Sequence, residues 1–158
     1  MHVYIDNSAL RAINYNLSHP AMATLEKAVS AGKLKVLINS IFEGEFLKHC
    51  DLVLNSEKDS LKKIKCLENA LTPELNKILG KLETVSSQNI LNNYKEKFKC
   101  VNIDKDINWR DVFQKYFRGI TPFSSKKKDE FPDAFVAELL SENFEKQLII
   151  VLGGIVFY

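Results

Sequence analysis

The chain has 158 residues, 46% of them hydrophobic, with 22 basic and 20 acidic side chains and a formal net charge of +2. That length holds one hydrophobic core and falls short of two, so a single domain is expected over 1–158. The basic side chains are 19 lysines and only three arginines, Arg11, Arg110 and Arg118, a skew that by itself says little about a nucleic-acid partner. Cys50, Cys66 and Cys100 are widely spaced with no CxxC pair, which argues against a disulfide framework or a zinc site and for reduced thiols. No basic-then-apolar leader opens the chain and no apolar run nears the ~18 residues of a membrane span. A soluble, cytoplasmic protein with no membrane partner is expected.

His2 to Ile5, HVYI, is a short β-branched and aromatic run that ends abruptly in Asp6-Asn7-Ser8. Ala9, Leu10 and Ile13 then recur at helical spacing, so the opening reads as the first strand and helix of a parallel α/β sheet. Asp6 stands at the strand's carboxyl end, the edge where open α/β sheets bind ligands. One of Asp6, Asn7 and Ser8 serves as the helix N-cap. His19-Pro20 begins a second helix with Met22, Leu25 and Val29 on one face, and Gly32 is placed to end it. Lys33 to Ile38, KLKVLI, reads as the second strand. Asn39 and Ser40 cap a helix that opens Ile41-Phe42-Glu43-Gly44-Glu45-Phe46-Leu47. Glu43 and Glu45, two apart, cannot both face one site.

From Asp51 to about Lys99 the pattern is helical, lysine-rich and amphipathic, with breaks expected near Asn55-Ser56 and at Thr72-Pro73-Glu74. This predicts an all-helical insert at approximately 51–97. Its lysines read as a solvated face, because no aromatics are interleaved to stack bases. Phe98 to Ile103, FKCVNI, is a third strand, and a helix from about Asn108 to Arg118 is closed by Gly119. Ile120 to Ser125 is a loop, and Gln147 to Leu152, QLIIVL, has the continuous apolar character of a buried parallel strand.

Between them lies Lys126 to Leu140, KKKDEFPDAFVAELL. Pro132 suits the start of a helix, and Phe135, Val136, Leu139, Leu140 and Phe144 follow at helical spacing. Asp129, Glu130 and Asp133 fall three and four apart around its first turn, where like charges repel. Two explanations fit that cluster. Acids in a first turn are favoured by the helix dipole, with Lys126, Lys127 and Lys128 as neutralising neighbours; or a cation sits between them.

The ends of the first two strands and the start of this late helix each offer carboxylates, and right-handed parallel crossovers bring such positions to one edge. Clustered carboxylates suit a hard divalent cation such as Mg²⁺, and metal-assisted attack of water on a phosphodiester is the chemistry that follows. Rival signatures are missing: there is no P-loop, GxGxxG, HExxH or GxSxG pattern. Asp6 also lacks the second aspartate, two residues on, of a haloacid dehalogenase-type phosphotransferase.

The residues VYIDNSAL, INSIFEGEFLKH and KKKDEFPDAFVAELL, in that order, resemble the motifs of the PIN-domain nucleases, in particular the larger bacterial PIN-like proteins with a helical insert. The resemblance implies a three-layer α/β/α fold with a central parallel sheet and a Mg²⁺- or Mn²⁺-dependent ribonuclease, often the toxin of a toxin–antitoxin pair. By position, Asp6, Glu45 and Asp133 match the metal ligands, Glu45 fitting the second place better than Glu43. Glu130 resembles an additional acid beside the third, and Ser8 a supporting hydroxyl. An RNA substrate, an antitoxin protein and a homodimer are the partners implied. The likeness stops at the end: the family's last strand runs into an acidic loop, whereas here IIVL is followed by GGIVFY with no acid after Glu145. A frameshifted or truncated ending is one explanation. Loss of that acid predicts a weaker metal site, and the alternative function is a catalytically degenerate module that binds RNA or protein. A third explanation is an α/β protein whose acids serve only as caps. His2 and His49 read as packing or surface residues.

Overall fold

In a computed structural model, residues 1–65, 73–104, 109–120, 123, 130–143, 148–152 and 155–157 are described. At its centre is β1 (His2–Ile5), whose Val3, Tyr4 and Ile5 are all buried. On one side β1 pairs with β2 (Lys35–Ile38) and β2 with β3 (Val101–Asn102); on the other it pairs with β4 (Leu148–Leu152), and β4 with β5 (Ile155–Phe157). The order is β3-β2-β1-β4-β5, with only β5 antiparallel. A strand flanked by parallel neighbours must be covered on both faces, which explains why HVYI and KVLI run apolar without alternation. Helices supply the cover, giving a three-layer α/β/α fold.

These helices are α1 (Asn7–Ala12), α2 (Pro20–Ser30), α3 (Ser40–Lys65), α4 (Pro73–Glu83), α5 (Ser87–Lys97), α6 (Trp109–Arg118) and α7 (Phe131–Asn143). Their ends follow the local chemistry. His19 caps α2 through Nδ1, which accepts the Ala21 N–H at 3.3 Å, with Pro20 in the first turn. Gly32 takes φ of +68°, and the Gly32 and Lys33 N–H groups reach back to the Val29 and Ala28 carbonyls at 2.9 and 3.0 Å. That is the paired closure a glycine beyond the helix end permits.

Three sequence expectations change. The break near Asn55-Ser56 is absent, and α3 runs unbroken from Ser40 to Lys65. Asn and Ser cost a helix only a few tenths of a kcal/mol each, too little to interrupt one already packed on the core. The helix start expected at Pro73 is found, opening α4, and a further interruption lies at Thr84-Val85-Ser86, where the Ser86 hydroxyl accepts the Asn89 N–H at 3.2 Å and starts α5. The third strand is only Val101–Asn102, because Phe98 ends α5 and donates its N–H to Tyr94 O at 3.1 Å. Finally, the apolar ending forms β5, antiparallel to β4, with Ile155 opposite Leu152. Thr72, Cys66, Asn108, the Lys126 to Asp129 run, Phe144 and Gln147 lie outside the described residues.

The core is aromatic at its centre. Phe42, Phe46, Tyr94 and Phe98 are all under 2% exposed, with ring centroids 4.9–6.0 Å apart along the chain of contacts. Cys50 and Cys100 are free thiols, pushed by burial to about 11 and about 12. A smaller cluster of Val112, Phe123 and Ala134 joins α6 to α7. Beside it Lys115 of α6 pairs with Glu138 of α7, a carboxylate only 8% exposed. Removing the ammonium leaves a buried charge without its partner, so Lys115→Ala is expected to cost about 1–3 kcal/mol in denaturant unfolding. Replacing both residues by apolar ones of similar size should recover most of that loss. A double variant no more stable than Lys115→Ala would assign the loss to packing by the lysine stem.

Candidate metal-binding active site

β1 and β2 each hand the chain to a helix at their carboxyl ends, where Asp6 and the two glutamates of α3 are held, and Glu130 and Asp133 lie at the start of α7. Asp6 leaves β1 with extended backbone and caps α1: its Oδ1 accepts the Ser8 N–H at 2.8 Å and also the Ser8 hydroxyl. Both bonds end on one oxygen, so capping does not use the whole carboxylate. At the end of β2, fully buried Asn39 caps α3 by accepting the Phe42 N–H through Oδ1 at 2.7 Å.

α3 sorts its two glutamates by periodicity. Phe42 and Phe46 bury one face, and Glu43 turns toward α5, where it meets Lys95 Nζ at 2.6 Å. Glu45 points elsewhere. Its carboxyl is held above the usual carboxylate range by partial burial first, then by the negative charges of Asp133 and Asp6, with Lys48 partly opposing. Glu45 therefore lies in the field of two acids distant from it in sequence. Asp133 is exposed in the first turn of α7, and Glu130 precedes that helix, its carbonyl accepting the Ala134 N–H at 3.0 Å.

Tyr4 records the same convergence. Burial raises its phenol well above the ordinary range, and Asp6, Glu45 and Asp133 raise it further. The Asn39 amide nitrogen, which makes no hydrogen bond of normal geometry, opposes that shift. Tyr4 stays neutral beneath the acids. It shares a strand face with Asp6, two residues on, a signal present in the sequence and overlooked there.

Sequence reasoning also missed Asp104, just beyond β3. Its Oδ1 and Oδ2 accept the Ser40 N–H at 2.9 and 3.1 Å, and Oδ1 accepts the Ser40 hydroxyl at 3.0 Å. Asn102 Nδ2 donates to Oδ2 at 3.0 Å. This carboxylate fastens the start of α3, and so the angle at which Glu45 leaves the sheet. Asp104→Ala is expected to cost about 1 kcal/mol, the usual loss for an N-terminal helix cap, read from thermal melts. His2 and His49 are both held below the usual imidazole range, by burial first and then by neighbouring positive groups.

Among the described residues no three His, Cys, Asp or Glu side chains are gathered into a ready-made ligand cage. The donor chemistry nevertheless fits a hard cation. Mg²⁺ commonly takes one or two carboxylates and keeps several waters, and it does not require three protein ligands in advance. A positive ion would relieve the repulsion that raises Glu45.

Burial of Glu45 first, and then that repulsion, set a pH dependence. Glu45 holds its proton to higher pH when folded than when unfolded, so it favours the fold most while protonated. Its contribution falls as pH rises from the unfolded carboxyl range through the raised folded one. Asp6→Asn, which removes one of the charges, is expected to flatten that fall in a melting-temperature profile against pH. An identical slope in parent and variant would mean that Asp6 and Glu45 do not interact.

The chain is thus an α/β/α protein with acids at the carboxyl edge of its parallel strands, the edge where open α/β sheets bind ligands. The sequence profile of the PIN domain matches residues 3–152, nearly the whole chain, and the protein belongs to the PIN-domain family. PIN domains are nucleases in general, typically use divalent metals and act on RNA. No curated protein and no solved structure matches the chain. No helix among the described residues is long and apolar enough to cross a membrane.

Proposed function

We propose that this chain is a Mg²⁺- or Mn²⁺-dependent endoribonuclease in which Asp6, Glu45 and Asp133 hold the cation. What supports the proposal is the setting of Glu45, a carboxyl held up by partial burial first and then by the charges of Asp133 and Asp6, acids 88 and 39 positions away in sequence. When bound, the cation supplies activation of the attacking water and charge stabilisation at the leaving oxygen. The chain does the rest. Asp6 is oriented by Ser8, Glu45 by the buried Phe42 and Phe46 on the same helix, and Asp133 by the first turn of α7. Glu130, immediately before that helix, is the additional acid. Tyr4, neutral and buried, closes the floor of the site without adding charge. Glu43 is left to its ion pair with Lys95.

On this reading the protein is cytoplasmic, and its role is that of a toxin restrained by an antitoxin protein, acting as a homodimer. The chain is a single PIN-like domain over 1–158 with a helical insert at approximately 51–97. The alternative is a degenerate module that binds RNA or protein without turnover; among the described residues no three potential metal ligands are gathered. A cleavage assay on structured RNA with Mn²⁺ separates the two. Cleavage by the parent that disappears with chelator and in Asp6→Asn supports the enzyme. Equal traces in parent and variant indicate contamination and favour the module.

A further inference from the structure

The outward face of α6 does not belong to either cluster of the core. Arg110, Phe113, Gln114, Phe117 and Arg118 all lie exposed, at the three- and four-residue spacing of one helix face. Phe117 is 79% and Phe113 43% exposed, and the two rings stack with centroids 6.5 Å apart at 28°. Val112, on the opposite side, is fully buried and anchors the helix. Two of the three arginines in a chain with 19 lysines stand at the two ends of this stripe, and Asp111 borders it, lining a shallow cavity with Gln114 and Arg118.

We infer that this face of α6 is a stacking track for single-stranded RNA leading toward the acidic rim; the inference rests on the ribonuclease reading above. Two stacked rings offer flat faces to successive bases, and base stacking on aromatic side chains tolerates any sequence. Arginine at both ends suits the backbone, since a guanidinium grips phosphate through two parallel donors where an ammonium presents a point charge. The two guanidinium groups at the ends match a polyanion. The track also has a direction. Phe113 lies 5.8 Å from the ring of Phe131, which opens α7 two residues before Asp133. Rings therefore follow one another from Phe117 through Phe113 to the helix that presents the third acid.

The test is fluorescence anisotropy with a short fluorescein-labelled oligouridylate in excess chelator, so that binding is read without cleavage. Phe117→Leu keeps the apolar bulk and removes the aromatic face; Phe117→Trp enlarges that face. The parent is expected to bind, the Leu variant about tenfold more weakly, and the Trp variant at least as tightly as the parent, all with equal melting temperatures. No binding by the parent, or equal affinity in the parent and the Leu variant, overturns the track. So does a protein-docking result, in which Phe117→Glu dissociates a dimer seen by light scattering while RNA affinity stays that of the parent. Cleavage is scored separately with Mn²⁺. A parent that binds through Phe117 but never cleaves counts against the nuclease and leaves the track standing, whereas a parent that cleaves with no effect of Phe117→Leu on binding does the reverse.

Discussion

Asp6→Asn is expected to lower Mn²⁺-dependent RNA cleavage by on the order of 10²–10³-fold, with little change in melting temperature. The two halves of that expectation have separate causes. Cation stabilisation of a reacting phosphate is worth several kcal/mol, and each 1.4 kcal/mol or so is about a factor of ten in rate. Asparagine, however, caps a helix about as well as aspartate, so the bond from the Ser8 N–H to Oδ1 and the start of α1 survive the change. Asp6→Ala separates the functions from the other direction. It should lose the same activity and also about 1 kcal/mol of stability through the missing cap. Equal activity in parent and Asp6→Asn would leave Asp6 as a cap and nothing more.

The largest stability effect should come from Phe46→Ala. Phe46 is fully buried on α3, its ring centroid 4.8 Å from Tyr15, 5.8 Å from Phe42 and 6.0 Å from Tyr94. Truncating such a ring removes its transfer free energy and leaves a cavity among aromatics that cannot collapse far, a loss of about 3–5 kcal/mol. In a chain of this size that is roughly a 10–15 °C drop in melting temperature. Because Glu45 sits one residue earlier on the same helix, any fold that survives should also bind Mn²⁺ more weakly. Phe46→Leu, which keeps most of the volume, should recover the larger part of both losses. A melting temperature within a few degrees of the parent for Phe46→Ala would mean that α3 is not pinned by this cluster.

What the sequence disclosed, and what it hid, follows from the range of the forces involved. Short-range punctuation was legible: Asp6 before α1, His19-Pro20 before α2, Gly32 after it and Gly119 after α6 each mark an end with local chemistry alone. The parallel sheet was legible too, from apolar runs alternating with helical periods. Positions decided by packing were not. Asn55 and Ser56 resemble a break until the helix around them is anchored by Phe42, Phe46 and Cys50. FKCVNI has strand composition, yet Phe98 is worth more to the fold as the fully buried end of α5 than as a strand residue.

The site divides in the same way. That acids occur at strand ends was visible, but the ion pair of Glu43 with Lys95, 52 residues further along, was not. Asp104 was invisible as a fastener of α3 because its partner Ser40 is 64 residues away. Glu138 is a similar case, since its counter-charge Lys115 comes from another helix. Periodicity reports which face of a helix is buried; it does not report what the other faces meet.

The convergence of Asp6, Glu45 and Asp133 is tested most directly by the anomalous signal of Mn²⁺ in crystals of the protein grown with the ion. The expected result is a single strong peak on the carboxyl rim of the sheet, within about 2.5 Å of carboxylate oxygens from at least two of these residues. A peak coordinated elsewhere, or a well-ordered rim on which Asp6 and Asp133 face away from each other with no ion between them, would contradict it.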